Sequence, residues 1–112
     1  MAEFKKQFAN PLKCPVTQAI SILGGKWKPI ILYAISGGVD RFSGLQRAIP
    51  AVSKKVLTAQ LRELEADGVI NRKVYPVVPP KVEYSITEFG KQTIPSIQAL
   101  RNFGLVLLKD TP

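Results

Sequence analysis

The chain has 112 residues, of which 46% are hydrophobic and 21% charged, a composition typical of one globular domain rather than a disordered segment. Sixteen Lys and Arg residues against eight Asp and Glu leave a net charge of +8, which favours an anionic partner, nucleic acid before an acidic membrane surface. With no His and only one Cys, Cys14, the sequence excludes His-based catalytic triads, zinc sites built from His or Cys clusters, and an intrachain disulfide framework.

The positive charge is concentrated in the middle of the chain. Residues 41–81 carry eight basic and three acidic groups, whereas residues 82–112 carry three of each. The alternative to an anionic partner is a basic soluble protein without one. No signal-peptide pattern opens the chain and no apolar run reaches the length of a membrane span. We therefore expect a cytoplasmic protein that binds no membrane, metal ion or cofactor.

The first predicted helix follows a short arm. Residues 1–13 show little periodicity and are expected to form an N-terminal arm. Pro15 suits the first position of a helix, with Cys14 as its N-cap residue, and the Gly24-Gly25 pair would end that helix.

A second helix is predicted from about Trp27 to the Gly37-Gly38 pair. Residues 30–35 are apolar on every side of this helix, so we expect it to be the buried one.

The third helix is predicted to be short. Arg41 and Phe42 would form an extended link before it. Ser43 and Gln46 have the spacing of a capping box and would open the helix, which Pro50 breaks.

The fourth helix is predicted to run from the cap residue Ser53 to Gly68. Its apolar stripe consists of Leu57, Leu61 and Leu64, which fall within an arc of about 60° on a helical wheel. The opposite face combines cations, a hydroxyl and a small residue, which suits contact with base edges and phosphates in a DNA major groove. The members of that face and its flanks are Lys54, Lys55, Thr58, Ala59, Gln60 and Arg62.

The charges of this helix oppose its dipole. Lys54 and Lys55 lie at the positive end, and Glu63, Glu65 and Asp67 lie at the negative end. A phosphate bound at the start of the helix would account for this order. The alternative is a solvated face whose lysines only aid solubility.

A β-hairpin and a long helix complete the chain. Strands are predicted near residues 70–75 and 82–86, separated by a proline-rich tip. Arg72 and Lys73 would lie in the first strand and Lys81 at the tip; the alternative is an ordinary surface hairpin.

The last helix is predicted from about Glu88, after the cap Thr87, to Leu108, kinked or restarted at Pro95. A helix-turn-helix followed by a hairpin is a winged helix-turn-helix, so the predicted fold is mainly α with a small β-hairpin.

Four stretches in this order make the chain resemble the HxlR-type winged helix-turn-helix transcriptional regulators of bacteria and archaea. They are "GGKW", "RFSGL", "LRELEADG" and "PPKVEYSIT", and the similarity covers residues 14–104. The sequence departs from the family at Phe103, where tryptophan is usual. The domain expected from this resemblance spans residues 14–108, with a tail at 109–112.

The resemblance implies a regulator, expected to be a repressor, that binds double-stranded DNA as a homodimer on a pseudo-palindromic operator. The DNA-facing positions would be Ser53, Lys54, Lys55, Thr58, Gln60 and Arg62 in the helix and Lys81 in the wing, with phosphate contacts from Arg41 and Arg47. The first and last helices would pair across the dimer axis through Ile20, Ile94, Ile97, Leu100, Phe103 and Leu107. The alternative is that this apolar face packs only within its own subunit.

Cys14 occupies the position at which some members of the family respond to oxidants or electrophiles. A thiol at a helix N-terminus beside Lys13 should have a lowered pKa. The alternative is an inert cap or a packing group.

Two other classes of function compete with DNA binding. A winged helix can serve as a protein-interaction module without sequence-specific DNA binding. An enzyme is not expected, because the chain has no His and no phosphate-binding loop, and its carboxylates cluster at one helix end.

Overall fold

The structure is a computed structural model that describes residues 9–109. In chain order its helices and strands are α1 (Pro15–Leu23), α2 (Lys28–Ser36), α3 (Phe42–Ala48), α4 (Lys54–Ala66), β1 (Ile70–Tyr75), β2 (Lys81–Ile86) and α5 (Thr93–Lys109). Short 3₁₀ turns at Pro11–Lys13 and Gly90–Gln92 precede α1 and α5. This order confirms the predicted winged helix-turn-helix. Residues 1–8 of the predicted arm and residues 110–112 of the predicted tail lie outside the described residues.

The core is formed by one face of α2, the leucine stripe of α4, and residues that connect to the hairpin. Leu57, Leu61 and Leu64 are buried, as their spacing predicts. Each would cost about 3 kcal/mol of folding free energy if truncated to alanine. The expectation that all sides of α2 are buried is wrong, because Ile30 and Tyr33 remain 45% and 42% exposed.

The start of α3 also differs from the prediction. The helix begins at Phe42, with Arg41 as an N-cap residue that makes no side-chain cap bond, so the predicted capping box at Ser43 and Gln46 does not form. Phe42 packs against the core cluster. Packing this aromatic ring against the core starts the helix two residues earlier than a Ser43 cap would.

The two ends of α4 follow the sequence prediction. The backbone N–H of Val56 donates to the Ser53 hydroxyl at 3.1 Å, which satisfies one free donor of the first turn. At the other end, Gly68 adopts a φ of +78°, and Val69 N–H donates to the Leu64 carbonyl at 3.1 Å. A residue with a Cβ atom would be strained in this left-handed conformation.

The hairpin is antiparallel and pairs Ile70 with Ile86 and Tyr75 with Lys81. Ile70 and Tyr84 are buried, so one face of the hairpin packs on the core. The backbone N–H of Tyr84 donates to the Asp40 carbonyl at 2.8 Å. This bond attaches the hairpin to the segment that leads into α3.

The last helix begins later than predicted and is not restarted at Pro95. Thr87 lies before the 3₁₀ turn Gly90–Gln92, and its hydroxyl accepts from Gly90 N–H at 2.8 Å and donates to the Gly68 carbonyl at 2.7 Å. The Thr87 side chain therefore binds two backbone segments instead of opening α5. Since α5 starts at Thr93, Pro95 lies in its first turn, where a missing N–H costs little.

Gly90 occupies a position that no larger residue could take. It is buried, and a Cβ atom at this position would clash with the Val69 carbonyl oxygen. The backbone before α5 is thus packed directly against the backbone after α4. Within residues 9–109, no helix is long and apolar enough to cross a membrane.

Candidate nucleic-acid interface

The start of α4 presents an uncompensated positive surface. Lys54 and Lys55 are exposed and occupy its first turn, which contains no acidic residue. They add to the positive end of the helix dipole, and Ser53 already satisfies the amide of Val56. The free N–H groups and the two ammonium groups together make this end of α4 suitable for a phosphate.

Thr58 and Arg62 continue this surface along α4. Arg62 is exposed, whereas Thr58 is half-buried and its hydroxyl donates to the Lys54 carbonyl at 2.9 Å. This bond fixes the Thr58 rotamer. The methyl group and an acceptor lone pair remain free to contact a base edge.

Arg72 of β1 faces the same region, although it was not among the predicted DNA-facing positions. It lines a cleft of about 300 Å³ with Thr58, Arg62 and Glu65. The signal that could have found it is strand alternation. Arg72 lies opposite the buried Tyr84, so both side chains project from the face of the hairpin that meets α4.

Gln60 differs from the other predicted α4 positions. Its side-chain amide donates to Glu63 at 3.4 Å, and Glu63 also pairs with Lys28 at 2.9 Å. The Lys28 side chain is only 13% exposed, whereas that of Glu63 is 56% exposed. The acidic end of α4 is therefore tied to the start of α2, and Gln60 points toward this contact rather than toward Lys55 and Arg62.

The outer face of the hairpin carries four interacting residues that we call the wing cluster: Lys73, Tyr75, Lys81 and Glu83. The Lys81 ammonium lies 3.8 Å from the Glu83 carboxylate, and the Tyr75 hydroxyl donates to Glu83 at 3.4 Å. Both lysine ammonium groups lie about 5 Å from the centre of the Tyr75 ring, at 4.8 Å for Lys73 and 5.1 Å for Lys81. Lys81, the predicted wing contact, is therefore held by its neighbours.

Arg41 and Arg47 lie together at α3. Both are exposed, and they line a cavity of about 340 Å³ that also includes Gly38, Asp40 and Gly44. Two guanidinium groups beside one cavity could contact a phosphate. Asp40 reduces the net positive charge there relative to the start of α4.

Cys14 is the N-cap residue of α1 and is only 6% exposed. Hydrogen bonds from the Thr17 backbone N–H and hydroxyl, together with the Val16 N–H, hold the pKa of its thiol below the ordinary value. The direction agrees with the sequence prediction. The cause is the first turn of the helix, and Lys13 is not among the groups that lower the pKa.

The predicted interface residues fall into two groups. Ile20, Leu100, Phe103 and Leu107 are 55–62% exposed. Ile94 is half-buried against the core, and Ile97 is 4% exposed within it, so Ile97 is not available to a partner. It faces inward because α5 packs its first turns on α2. The exposed apolar set is larger than the sequence predicts and also includes Leu12, Val16, Leu105, Val106 and Leu108.

Residues 22–111 match the model of the HxlR-like helix-turn-helix family. The HTH-type transcriptional regulator YybR of Bacillus subtilis is 45% identical over 104 residues, covering 93% of this chain and 83% of YybR. A second regulator of that bacterium, YdeP, is 50% identical over 91 residues, covering 81% of this chain and 71% of YdeP. The solved structure of the redox regulator HypR in its oxidised form is 46% identical, with a TM-score of 0.79, covering 83% of this chain and 96% of HypR.

The family match runs from the end of α1 through the whole of α5, so it includes every element that carries the basic surface. The chain belongs to the HxlR-like helix-turn-helix family of transcriptional regulators.

Proposed function

We propose that this protein regulates transcription by binding a pseudo-palindromic operator in double-stranded DNA as a homodimer. The observation that carries the proposal is the exposed basic surface at the start of α4, where Lys54 and Lys55 reinforce the helix dipole and no carboxylate compensates them. A surface of this kind attracts phosphate, which supports docking of the first turns of α4 in a major groove.

The predicted contacts have two roles: contacts with phosphates position the protein on the duplex, and contacts with base edges recognise its sequence. Lys54, Lys55, Arg41, Arg47 and Lys81 contact phosphates and fix the register of the protein on the duplex. Ser53 caps α4 and lies beside the DNA backbone. Thr58 and Arg62 reach base edges, since a threonine methyl group suits thymine and a guanidinium group suits guanine. Gln60 contributes by fixing Glu63, because its amide is engaged there.

Dimerisation through α1 and α5 is supported by the exposed apolar residues of these helices. Ile20, Leu100, Phe103 and Leu107 form what we call the dimer face, and each is more than half exposed. The C-terminal half of α5 also exposes Leu105, Val106 and Leu108, so it is apolar on nearly all sides. A helix of this kind is stable when other helices enclose it, which a second copy of α1 and α5 would do.

The experiment that tests this function is selection of bound sequences from a random duplex pool, followed by titration of the selected duplex at several salt concentrations. We expect an inverted repeat whose half-sites are about one helical turn apart. We also expect affinity to fall steeply with salt because several phosphates are contacted. Salt-sensitive binding without an enriched motif would favour the alternative, a winged-helix module that binds an acidic protein.

We infer that Cys14 makes DNA binding responsive to oxidants or electrophiles. Its lowered pKa supports a reactive thiolate, and its 6% exposure means that the start of α1 must open before a reagent reaches the sulfur. With one Cys in the chain, an oxidant would give a Cys14–Cys14 bridge between subunits or a mixed disulfide with an external thiol, and an electrophile would give a direct adduct of the thiolate.

Operator binding by wild type and by Cys14→Ser, before and after treatment with a thiol-reactive electrophile, tests this response. We expect only wild type to change its affinity. An equal response of both proteins would exclude Cys14 as the sensor.

The regulatory outcome that we propose is repression, because a dimer that occupies an operator blocks access to the duplex beneath it. The role is non-enzymatic and exerted in the cytoplasm, where the operator lies. A reporter gene downstream of the selected operator should fall in expression when the protein is supplied.

A further inference from the structure

One face of the hairpin concentrates the wing cluster in a small area. In the strand register Lys73 lies opposite Glu83, and Tyr75 lies opposite Lys81. These two cross-strand pairs are adjacent and share the outer face, away from the buried Tyr84. One aromatic ring is therefore in contact with two lysines that come from different strands.

The arrangement offsets the repulsion between two ammonium groups. An aromatic face attracts a cation that lies within about 6 Å of its centre, and both ammonium groups meet that condition, at 4.8 Å and 5.1 Å. Glu83 adds a carboxylate 3.8 Å from the Lys81 ammonium and accepts from the Tyr75 hydroxyl at 3.4 Å. The cluster keeps a net charge of +1 despite Glu83.

Tyr75 is the member of the cluster that can fix the others in place. It is half-buried at the end of β1, whereas Lys73 is exposed and the Lys81 side chain is 40% exposed. A free lysine side chain loses much rotamer freedom when it binds a phosphate. A ring that already restricts both lysines reduces this loss and strengthens binding without any additional contact.

We propose that Tyr75 is the positioning residue of the wing: its ring holds Lys73 and Lys81 together so that the two ammonium groups contact the DNA backbone as a pair. The inference rests on the proposed DNA-binding function and adds Lys73 and Tyr75 to its machinery. It also makes the wing contribution independent of base sequence, because both lysines bind phosphate.

The test measures operator affinity and its salt dependence for wild type, Tyr75→Phe and Tyr75→Val. Phenylalanine keeps the ring and loses only the hydroxyl, so binding should stay within about twofold of wild type. Valine suits a strand but has no ring, so binding should weaken about five- to tenfold, with a salt slope shallower by about one. Each substitution is repeated in a background of Lys73→Gln and Lys81→Gln.

The double-lysine background separates positioning from stability. If Tyr75 acts through the two lysines, Tyr75→Val should have no further effect once they are gone. Unchanged affinity of Tyr75→Val, or an equal loss in both backgrounds, would overturn the proposal. If wild type itself enriches no operator, the proposed function fails before any variant is compared, so the two failures are distinguishable.

A measurement on the wild-type protein covers the case in which Tyr75→Val does not fold. In NMR spectra of the free protein, the terminal methylene protons of Lys73 and Lys81 should be shifted upfield by the ring current of Tyr75. Those of the exposed Lys109 serve as the unshifted reference. Unshifted resonances for both wing lysines would overturn the proposal.

Discussion

α4 and α5 have similar apolar faces toward the core but chemically different outward faces. Each packs one apolar face on the same core, through Leu57 and Leu61 in α4 and Ile97 in α5. The outward face of α4 carries Lys55 and Arg62, whereas that of α5 carries leucine, valine and phenylalanine side chains that are about half exposed or more. One face of each helix therefore serves folding, and the other has the chemistry of the partner proposed for it: an anion for α4 and an apolar surface for α5.

The largest effect is expected from placing a charge on the dimer face. Phe103→Glu should leave the core intact, because Phe103 is 62% exposed, but it would bury a carboxylate between subunits. A monomer loses the gain from binding two half-sites, so operator affinity should fall at least about a hundredfold. Analytical ultracentrifugation and operator titration measure the two effects.

The matched control for that variant is Gln98→Glu, which adds the same charge at an exposed polar position of α5. It should remain dimeric and bind the operator normally. A dimeric Phe103→Glu protein would show that α5 does not form the interface.

The second-largest effect is expected on the recognition of base sequence by α4. Thr58→Ala removes a methyl-bearing contact whose rotamer is fixed by the bond to the Lys54 carbonyl. Affinity for the selected operator should fall by about 1–2 kcal/mol, and discrimination at one base pair in each half-site should relax. Binding to a panel of operators with single base changes measures this. Equal losses on all sequences would mean that Thr58 does not contact a base.

A smaller, sequence-independent effect is expected in the wing. Lys81→Ala should weaken binding a few-fold on every duplex and lower the salt slope by about one, because one phosphate contact is lost. Lys109→Ala removes an exposed lysine at the end of α5 and is the control with no expected change. An unchanged slope for Lys81→Ala would remove this lysine from the interface.

At the acidic end of α4, the expected effect is on folding stability, in contrast to the effects on DNA binding at its basic end. Glu63→Gln leaves Lys28, whose side chain is 13% exposed, without its partner at 2.9 Å. Because the Glu63 side chain is itself 56% exposed, the loss in unfolding free energy should be only about 0.5–1 kcal/mol. Glu65→Gln is the control, since Glu65 is exposed and has no ion pair with any residue between 9 and 109. Equal stabilities of the two variants in urea would show that the Lys28 pair contributes nothing.

The smallest effect is a pH dependence at Cys14. Its pKa is lowered in the folded protein, so the folded state releases the thiol proton before the unfolded state does. The stability contribution should therefore rise with pH between the lowered pKa and the ordinary value of about 8.5, and should be lost as pH falls through the lowered pKa. Urea unfolding of wild type and Cys14→Ser across this range measures it. A constant difference between the two proteins would contradict the shift.

The features that the sequence predicted well are those set by local pattern. The leucine stripe, the Ser53 cap, the Gly68 end of α4 and the hairpin strands all follow from spacing or residue type. The positions that it predicted wrongly depend on tertiary contacts. Phe42 packing moved the start of α3, and the binding of Thr87 to two backbone segments delayed α5.

In the candidate interface too, positions set by local pattern were predictable and positions set by tertiary contacts were not. The positions of Lys54, Lys55 and Arg62 could be read from a helical wheel. The Gln60–Glu63 contact could not, because Glu63 is oriented by Lys28, which is 35 positions earlier in the chain. Likewise, Ile97 fits an apolar α5 face equally well whether its neighbour is α2 or another subunit, and only packing decides between them.

The close approach of Gly90 to Val69, together with the two bonds of Thr87, attaches the backbone just before α5 directly to the backbone just after α4. In a dimer held by α5, the distance between the two copies of α4 is then determined by the angle at which the C-terminal helices cross. In the proposed dimer on DNA, the number of base pairs between half-sites would therefore depend on that crossing angle and on the Gly90 and Thr87 contacts that attach α5 to α4.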